Sequence, residues 1–144
     1  MDVEKKSRLT LAGFVLGVTG TGTVLSAGLL TLIIVLNKIT RAEGTPSLSS
    51  QLMIALCGLT FAMGALVFFG SLGIWKLSVK GSAVNLGIGI VLLTLSQGLL
   101  IMLEDFVPAN ASLWVFLSVL YYMMGAAATL SGISGIIAYL TRSK

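Results

Sequence analysis

In residues 44–75 the chain has the sequence GTPSLSSQLMIALCGLTFAMGALVFFGSLGIW, without a single Asp, Glu, Lys, Arg or His. About 20 helical residues, each rising about 1.5 Å, cross a hydrocarbon layer roughly 30 Å thick, so this stretch is long enough to span a membrane. Three further stretches are equally free of charge: residues 9–37, 81–103 and 106–141. The chain is therefore predicted to cross a membrane four times.

The overall composition is also that of a membrane protein. Apolar residues make up 56% of the 144-residue chain and charged residues only 10%, and the mean hydropathy is +1.04. In a soluble domain about a quarter of the residues are charged. Four spans and their short connections account for the whole length, so a single transmembrane domain over residues 1–144 is predicted, with membrane lipids as its surroundings.

The boundaries of the spans predict how they are arranged. Pro46 precedes the second span, Pro108 follows the third, and only residues 77–81 separate the second from the third, which forces an antiparallel hairpin. Only helices and closed barrels satisfy the backbone in lipid, and no short alternating strands are seen. The prediction is an all-α integral membrane protein, a four-helix up-down antiparallel bundle with spans at about residues 10–37, 48–75, 82–103 and 112–141.

Basic residues are distributed unequally between the two sides of this predicted bundle. The two tails and the connection between spans 2 and 3 carry seven of them, whereas the opposite side carries only Lys38 and Arg41. Because Lys and Arg favour cytoplasmic loops, both termini are predicted to be cytoplasmic, in a cell membrane. The net charge of +4 is scattered over the span ends, whereas a nucleic-acid surface needs a clustered basic patch, so no nucleic-acid partner is expected.

Small residues recur along one face of span 4. The members of this stripe, at alternating spacings of 3 and 4, are Ser118, Tyr121, Gly125, Ala128, Gly132, Gly135 and Tyr139. In lipid, helices associate where small residues let their backbones approach closely, and spans 1 and 2 carry related stripes. The residues predicted to pack helices together are Gly13, Gly17, Gly20, Gly58, Ala62, Gly125, Ala128, Gly132 and Gly135. A stripe that is not used inside one chain would face a second subunit.

A few polar side chains within the spans form an alternative candidate site. Thr19 and Thr23 share a face of span 1, and their hydroxyls are expected to bond to carbonyls of their own helix. Asn85 is interpreted as interfacial. Gln97, about two turns before Glu104, is interpreted as a polar link between helices, because an amide in hydrocarbon needs a partner. In the alternative, a polar path is lined by Thr19, Thr23, Gln97, Glu104 and Asp105.

Several residue types that catalysis and redox chemistry use are missing from the sequence. There is no histidine, and Cys57 is the only cysteine, interpreted as a small buried apolar residue. No charged residue lies deep in a span, as proton-coupled transport would require. We therefore expect no cofactor, no metal site, no soluble substrate and no enzymatic activity; a lipid-modifying enzyme ranks last because no nucleophile with a base is recognisable.

These observations favour a structural or interaction role. The predicted function is that of a small polytopic membrane protein that assembles through its small-residue seams, as a homo-oligomer or as an accessory subunit of a larger membrane complex. The alternative is a passive channel or small-solute transporter with a polar path near Gln97 and Glu104. Assembly through span 4 would be disrupted by Leu at Gly132 and Gly135, whereas a channel would show solute flux after reconstitution.

Overall fold

The computed structural model describes residues 2–41, 48–103 and 111–142, and within these ranges the regular elements are all helices. The four helices are α1 (Asp2–Arg41), α2 (Leu48–Trp75), α3 (Val79–Leu103) and α4 (Ala111–Arg142). Each of them is long and apolar enough to cross a membrane. The predicted all-α fold is therefore confirmed, and the chain is a multi-pass membrane protein.

The helices form a ring in the order in which they occur along the chain. α1 packs against α2 and α4, and α3 packs against the same two helices, whereas α2 and α4 touch only slightly across the ring. Neighbours in the ring are therefore also neighbours in sequence, except that α4 closes the ring against α1. This arrangement is the up-down antiparallel bundle that the sequence predicts.

The connection between α2 and α3 is a tight turn over residues 76–78. The backbone N–H of Leu77 donates to the carbonyl of Ile74 at 2.8 Å, and that of Ser78 donates to the carbonyl of Gly73 at 2.9 Å. These two bonds are the pattern of a Schellman helix end. Leu77 has a φ of 59° and so occupies the left-handed position that glycine usually fills. The predicted hairpin is thus closed by a hydrogen-bonded helix end.

α2 and α3 approach each other very closely beside this turn. A side-chain carbon on Gly81 would lie 2.6 Å from the carbonyl oxygen of Gly70 and 2.8 Å from Cα of Gly73. Backbone atoms at such distances cannot move aside, so only glycine fits at this position. The turn and the glycine contact together fix the start of α3 against the end of α2.

The interior of the bundle is apolar over most of its length. Fully buried side chains come from every helix and include Val24, Val35, Met53, Val67, Leu92, Leu99, Leu117 and Met124. Because lipid tails are as apolar as these side chains, their burial brings van der Waals contact but no hydrophobic driving force. The specificity of the arrangement has to come from close-packed glycines and from polar contacts.

Leu77 provides a test of the turn geometry. We expect Leu77→Gly to be more stable than Leu77→Ala by about 1 kcal/mol, because both variants lose the leucine side chain but only glycine removes the strain of the left-handed conformation. The free energy of unfolding can be measured by titrating detergent-solubilised protein with SDS. Equal stability of the two variants would contradict the observed turn.

Candidate functional site

A polar cluster inside the bundle joins all four helices. Asn85 of α3 is completely buried, and its side-chain NH2 group donates to the hydroxyl of Ser71 in α2 at 3.1 Å and to the hydroxyl of Ser131 in α4 at 2.9 Å. Ser131 in turn donates to the carbonyl of Gly13 in α1 at 2.6 Å. The interpretation of Asn85 as interfacial concerns its depth in a membrane and stays a prediction. The structure shows the side chain buried between the helices, where it holds the bundle together from within.

The hydroxyl protons determine how the Asn85 amide is oriented. Ser71 donates its one proton to the carbonyl of Val67 at 2.7 Å, and Ser131 donates its proton to Gly13. Since neither hydroxyl has a second proton to offer, the NH2 group has to face them. The amide oxygen points instead toward Gly70, where it is buried and accepts no hydrogen bond from the described residues. A side-chain carbon on Gly70 would overlap this oxygen, so no ligand fits beside it.

Glycines provide the space that this cluster occupies. A side-chain carbon on Gly17 would overlap the hydroxyl of Ser71, and one on Gly132 would overlap the backbone of Leu86. α1 and α4 therefore approach the other helices through their small residues at the level of Asn85. The glycines and the buried amide depend on each other, because the hydrogen bonds form only at this close helix separation.

A second polar contact links α1 and α4 in the other half of the membrane. Thr31 and Tyr121 are both buried, and their hydroxyls are hydrogen-bonded to each other. Thr31 already donates to the carbonyl of Ala27 at 2.8 Å, so Tyr121 is the donor in this pair. Cys57 of α2 is buried in the same half of the bundle, as predicted for a small apolar residue.

These two polar contacts hold the helices together. Each serine or threonine hydroxyl in them donates its proton to a backbone carbonyl, whereas a catalytic nucleophile needs a base that takes its proton. In the described part of the chain, no three His, Cys, Asp or Glu side chains lie close enough together to hold a metal ion. The contacts fix the register of the four helices.

The predicted packing residues fall into two groups. Seven of them are buried between helices of the same chain: Gly13, Gly17, Gly20, Gly125, Ala128, Gly132 and Gly135. Gly58 and Ala62 of α2 are instead exposed on the outside of the bundle, and Ala55 and Ala65 extend the exposed stripe in both directions. One of the three predicted seams is thus not used within the chain.

The exposed stripe on α2 consists only of glycine and alanine: Ala55, Gly58, Ala62 and Ala65. These small side chains do not keep an approaching helix away from the backbone. A side-chain carbon on Gly58 would meet no atom within 4 Å. Beside Ala65 lies an open groove of about 530 Å³ between α1 and α2, whose lining is almost wholly apolar and includes Gly22, Phe61 and Phe69. At Gly58 and Ala62 a second helix can therefore come close to the backbone of α2, whereas Leu66 and Phe69 are large exposed side chains nearby.

The described members of the predicted polar path, Thr19, Thr23 and Gln97, do not come together within the chain. Thr19 of α1 and Gln97 of α3 are both exposed on the outside, at opposite corners of the ring. The hydroxyl of Thr23 donates to the carbonyl of Thr19 at 2.9 Å, as expected for a threonine that bonds to its own helix. Glu104 and Asp105 lie outside the described residues.

Sequence reasoning missed a further exposed surface, on α3. Its members, all exposed and separated by alternating spacings of 4 and 3, are Ala83, Gly87, Ile90, Thr94, Gln97 and Ile101. The regular spacing is visible in the sequence, but every face of this apolar helix carries a similar pattern. Recognising Asn85 as the inward-facing residue would have identified the surface, because Gln97 lies twelve residues away, on a different face.

Gly132 provides a test of the close approach between α3 and α4. We expect Gly132→Ala to lower the free energy of unfolding by about 1–3 kcal/mol, because the added carbon overlaps backbone atoms of Leu86. Gly22→Ala is the matched control, since its added carbon would meet no atom within 4 Å. SDS titration of both variants measures the difference, and equal stability would argue against the observed packing.

Replacement of Asn85 tests the polar cluster. Leucine has nearly the same size but no amide, so Asn85→Leu should lower the free energy of unfolding by about 1–3 kcal/mol through the loss of two interhelical hydrogen bonds. Ser26→Ala serves as control, because this exposed hydroxyl bonds only to the carbonyl of Gly22 in its own helix, at 2.9 Å. If the two variants are equally stable in the same SDS titration, Asn85 does not hold the helices together.

No protein-family model, no curated protein and no solved structure matches this chain.

Proposed function

We propose that the protein is a structural or interaction subunit of a membrane assembly, formed either from copies of itself or as an accessory subunit of a larger complex. The observation that carries this proposal is the exposed stripe on α2. The small residues of the α1 and α4 stripes are buried in contacts between helices of the chain. The small residues of the α2 stripe are exposed on the outside of the bundle. Small residues on an outer face are what a partner helix needs for close approach.

The outer face of α4 shows what a surface adapted to lipid looks like in this protein. It carries large apolar side chains, among them Val115, Phe116, Val119 and Leu130, each about half exposed. Such side chains mix well with acyl chains and keep another helix at a distance. α2 also exposes large side chains, Leu66 and Phe69 among them, but it combines them with the stripe of four small residues that includes Gly58 and Ala62. This stripe supports α2 as the side on which a partner binds.

The proposed orientation places both termini in the cytoplasm and the bundle in the cell membrane, in contact with lipid. It is supported by the excess of basic residues on the side of the termini. Lys76 and Lys80 flank the turn between α2 and α3, so they reinforce the signal of the N-terminal tail. The proposed role is non-enzymatic, in keeping with hydroxyls that are hydrogen-bonded to backbone carbonyls.

The alternative of a channel or transporter receives no support from where its residues lie. A path through one chain would need Thr19 and Gln97 to face a common space, and they face outward from opposite corners of the ring. The interior at the level of Asn85 is closed by glycines packed against backbone and hydroxyl groups. We therefore do not propose transport.

Large residues on α2 test the proposed assembly. We expect Gly58→Leu together with Ala62→Leu to shift the protein from its assembled form toward a smaller one, because the leucines hold a partner helix away from the backbone. Size measurement in a mild detergent, such as native gel filtration with light scattering, reports the change. Leucines at Gly132 and Gly135 are unsuitable for this purpose, since both positions are buried inside the chain.

The matched control is Ala126→Leu, which places a leucine on the outer face of α4. It should leave the assembled form unchanged. An α2 double variant that remains as large as the unaltered protein would remove the basis of the proposal, and so would an unaltered protein that is monomeric in native membranes.

A further inference from the structure

We infer that the outer surface of α3 pairs with a second copy of this chain, and that the side-chain amides of the two Gln97 residues hydrogen-bond to each other across the interface. The inference rests on the proposed function in that it assumes assembly in the membrane. It goes further by naming the partner and by using a different helix from the stripe on α2.

The inference depends first on the depth of Gln97 in the membrane. Gln97 lies within the apolar span Val79–Met102. It is six residues before the end of α3 at Leu103, which corresponds to about 9 Å along the helix axis. A glutamine side chain is too short to reach the headgroups from there. Its amide is therefore placed in hydrocarbon, where lipid offers neither donors nor acceptors.

Gln97 also has no hydrogen-bond partner among the described residues of its own chain. The side chain is exposed on the outside of the bundle and makes no hydrogen bond with any of the described residues. Thr94, one turn earlier, differs because its hydroxyl donates to the carbonyl of Ile90 at 3.1 Å. An amide without a partner in hydrocarbon costs free energy, so a state in which it is paired is favoured.

A second copy of the chain provides the matching group at the right depth. A two-fold axis along the membrane normal keeps both copies in the same orientation and brings both Gln97 residues to the same level. Each amide has an NH2 donor and a carbonyl acceptor, so each can donate to the other and accept from it. Any other partner would need its own polar group at this depth.

The residues around Gln97 allow the two helices to meet closely. The α3 surface has the spacing of a coiled-coil seam, with Ala83, Ile90 and Gln97 each separated by seven residues. Gly87 and Gly98 are exposed, and a side-chain carbon on either would meet no atom within 4 Å, so packing inside the chain does not explain them. Between copies they would let α3 approach its counterpart.

Cross-linking tests this pairing directly. The only native cysteine is Cys57, which is buried and is removed as Cys57→Ala. In that background, Thr94→Cys lies one turn before Gln97 on the same exposed surface and leaves both amides in place. This variant is oxidised in native membranes with copper phenanthroline and oxygen, which accept the two electrons and two protons released as two thiols form a disulfide. We expect a dimer on a non-reducing gel that disappears on reduction.

Two control variants correct for random collisions in the membrane. Ile33→Cys on α1 and Val119→Cys on α4 lie at comparable depths and are about half exposed, at 54% and 49%. Thr94→Cys should cross-link about tenfold more than either. An equal yield from all three positions would overturn the inference, and so would a Thr94→Cys adduct whose mass shows a different protein as the partner.

Substitutions that keep or remove the amide provide a second measurement. In a dilution series of fluorescently labelled protein in liposomes, followed by energy transfer, Gln97→Leu should raise the dissociation constant about five- to tenfold, as expected for the loss of interhelical hydrogen bonds. Gln97→Asn retains the amide and should weaken the dimer less. Equal affinity of the leucine variant and the unaltered protein would contradict amide pairing.

The α2 double variant separates this inference from the proposed function. If Thr94→Cys still cross-links when Gly58 and Ala62 are replaced by leucine, the α3 surface pairs copies independently of α2 and the inference stands. If the α2 variant loses its assembled form and Thr94→Cys in unaltered α2 cross-links no better than the controls, the proposed function stands and the inference is wrong. If neither surface supports association, both are wrong.

Discussion

The bundle depends on one buried amide. In lipid, apolar side chains gain little by leaving acyl chains for one another, so an apolar interior alone does not select one helix arrangement over another. Asn85 supplies that selection, because its two amide protons reach hydroxyls on α2 and α4, and one of these hydroxyls reaches the backbone of α1. The glycines at this level, Gly17 and Gly132 among them, permit the separation at which the bonds form. The hydrogen bonds of Asn85 therefore form only when the helices are in this register and approach each other this closely.

The sequence was sufficient for the number, type and order of the helices, because charges mark the ends of uncharged stretches and residues 77–81 leave room only for a hairpin. It also predicted which residues are small enough for helix contact. It could not tell which stripes are used inside the chain, since Gly58 and Gly132 have equivalent surroundings in sequence and differ only in the rotation of their helices. The burial of Asn85 between the helices could not be predicted for the same reason. The left-handed conformation of Leu77 has no sequence signal, because a glycine is the usual residue there.

Large apolar side chains are exposed on all four helices of the bundle. Leu29 of α1, Phe69 of α2, Ile101 of α3 and Phe116 of α4 are each at least half exposed. α2 and α3, which are neighbours in the ring, differ in what lies between these side chains: a stripe of small residues on α2 and the amide of Gln97 on α3. Lipid contact alone does not require either feature, so these two surfaces are the ones suited to other helices.

The hydrogen bond between Ser71 and Asn85 lies within the α2–α3 hairpin and joins residues only 14 positions apart. During synthesis, both partners leave the ribosome before Ser131 of α4 does. The buried amide of Asn85 therefore enters the bilayer beside the Ser71 hydroxyl, which accepts one of its hydrogen bonds. The tight turn and the contact between Gly73 and Gly81 hold the two residues together. Biogenesis can thus treat the hairpin as a single insertion unit, and the arrival of α4 completes the pairing of an amide that never has to face lipid alone.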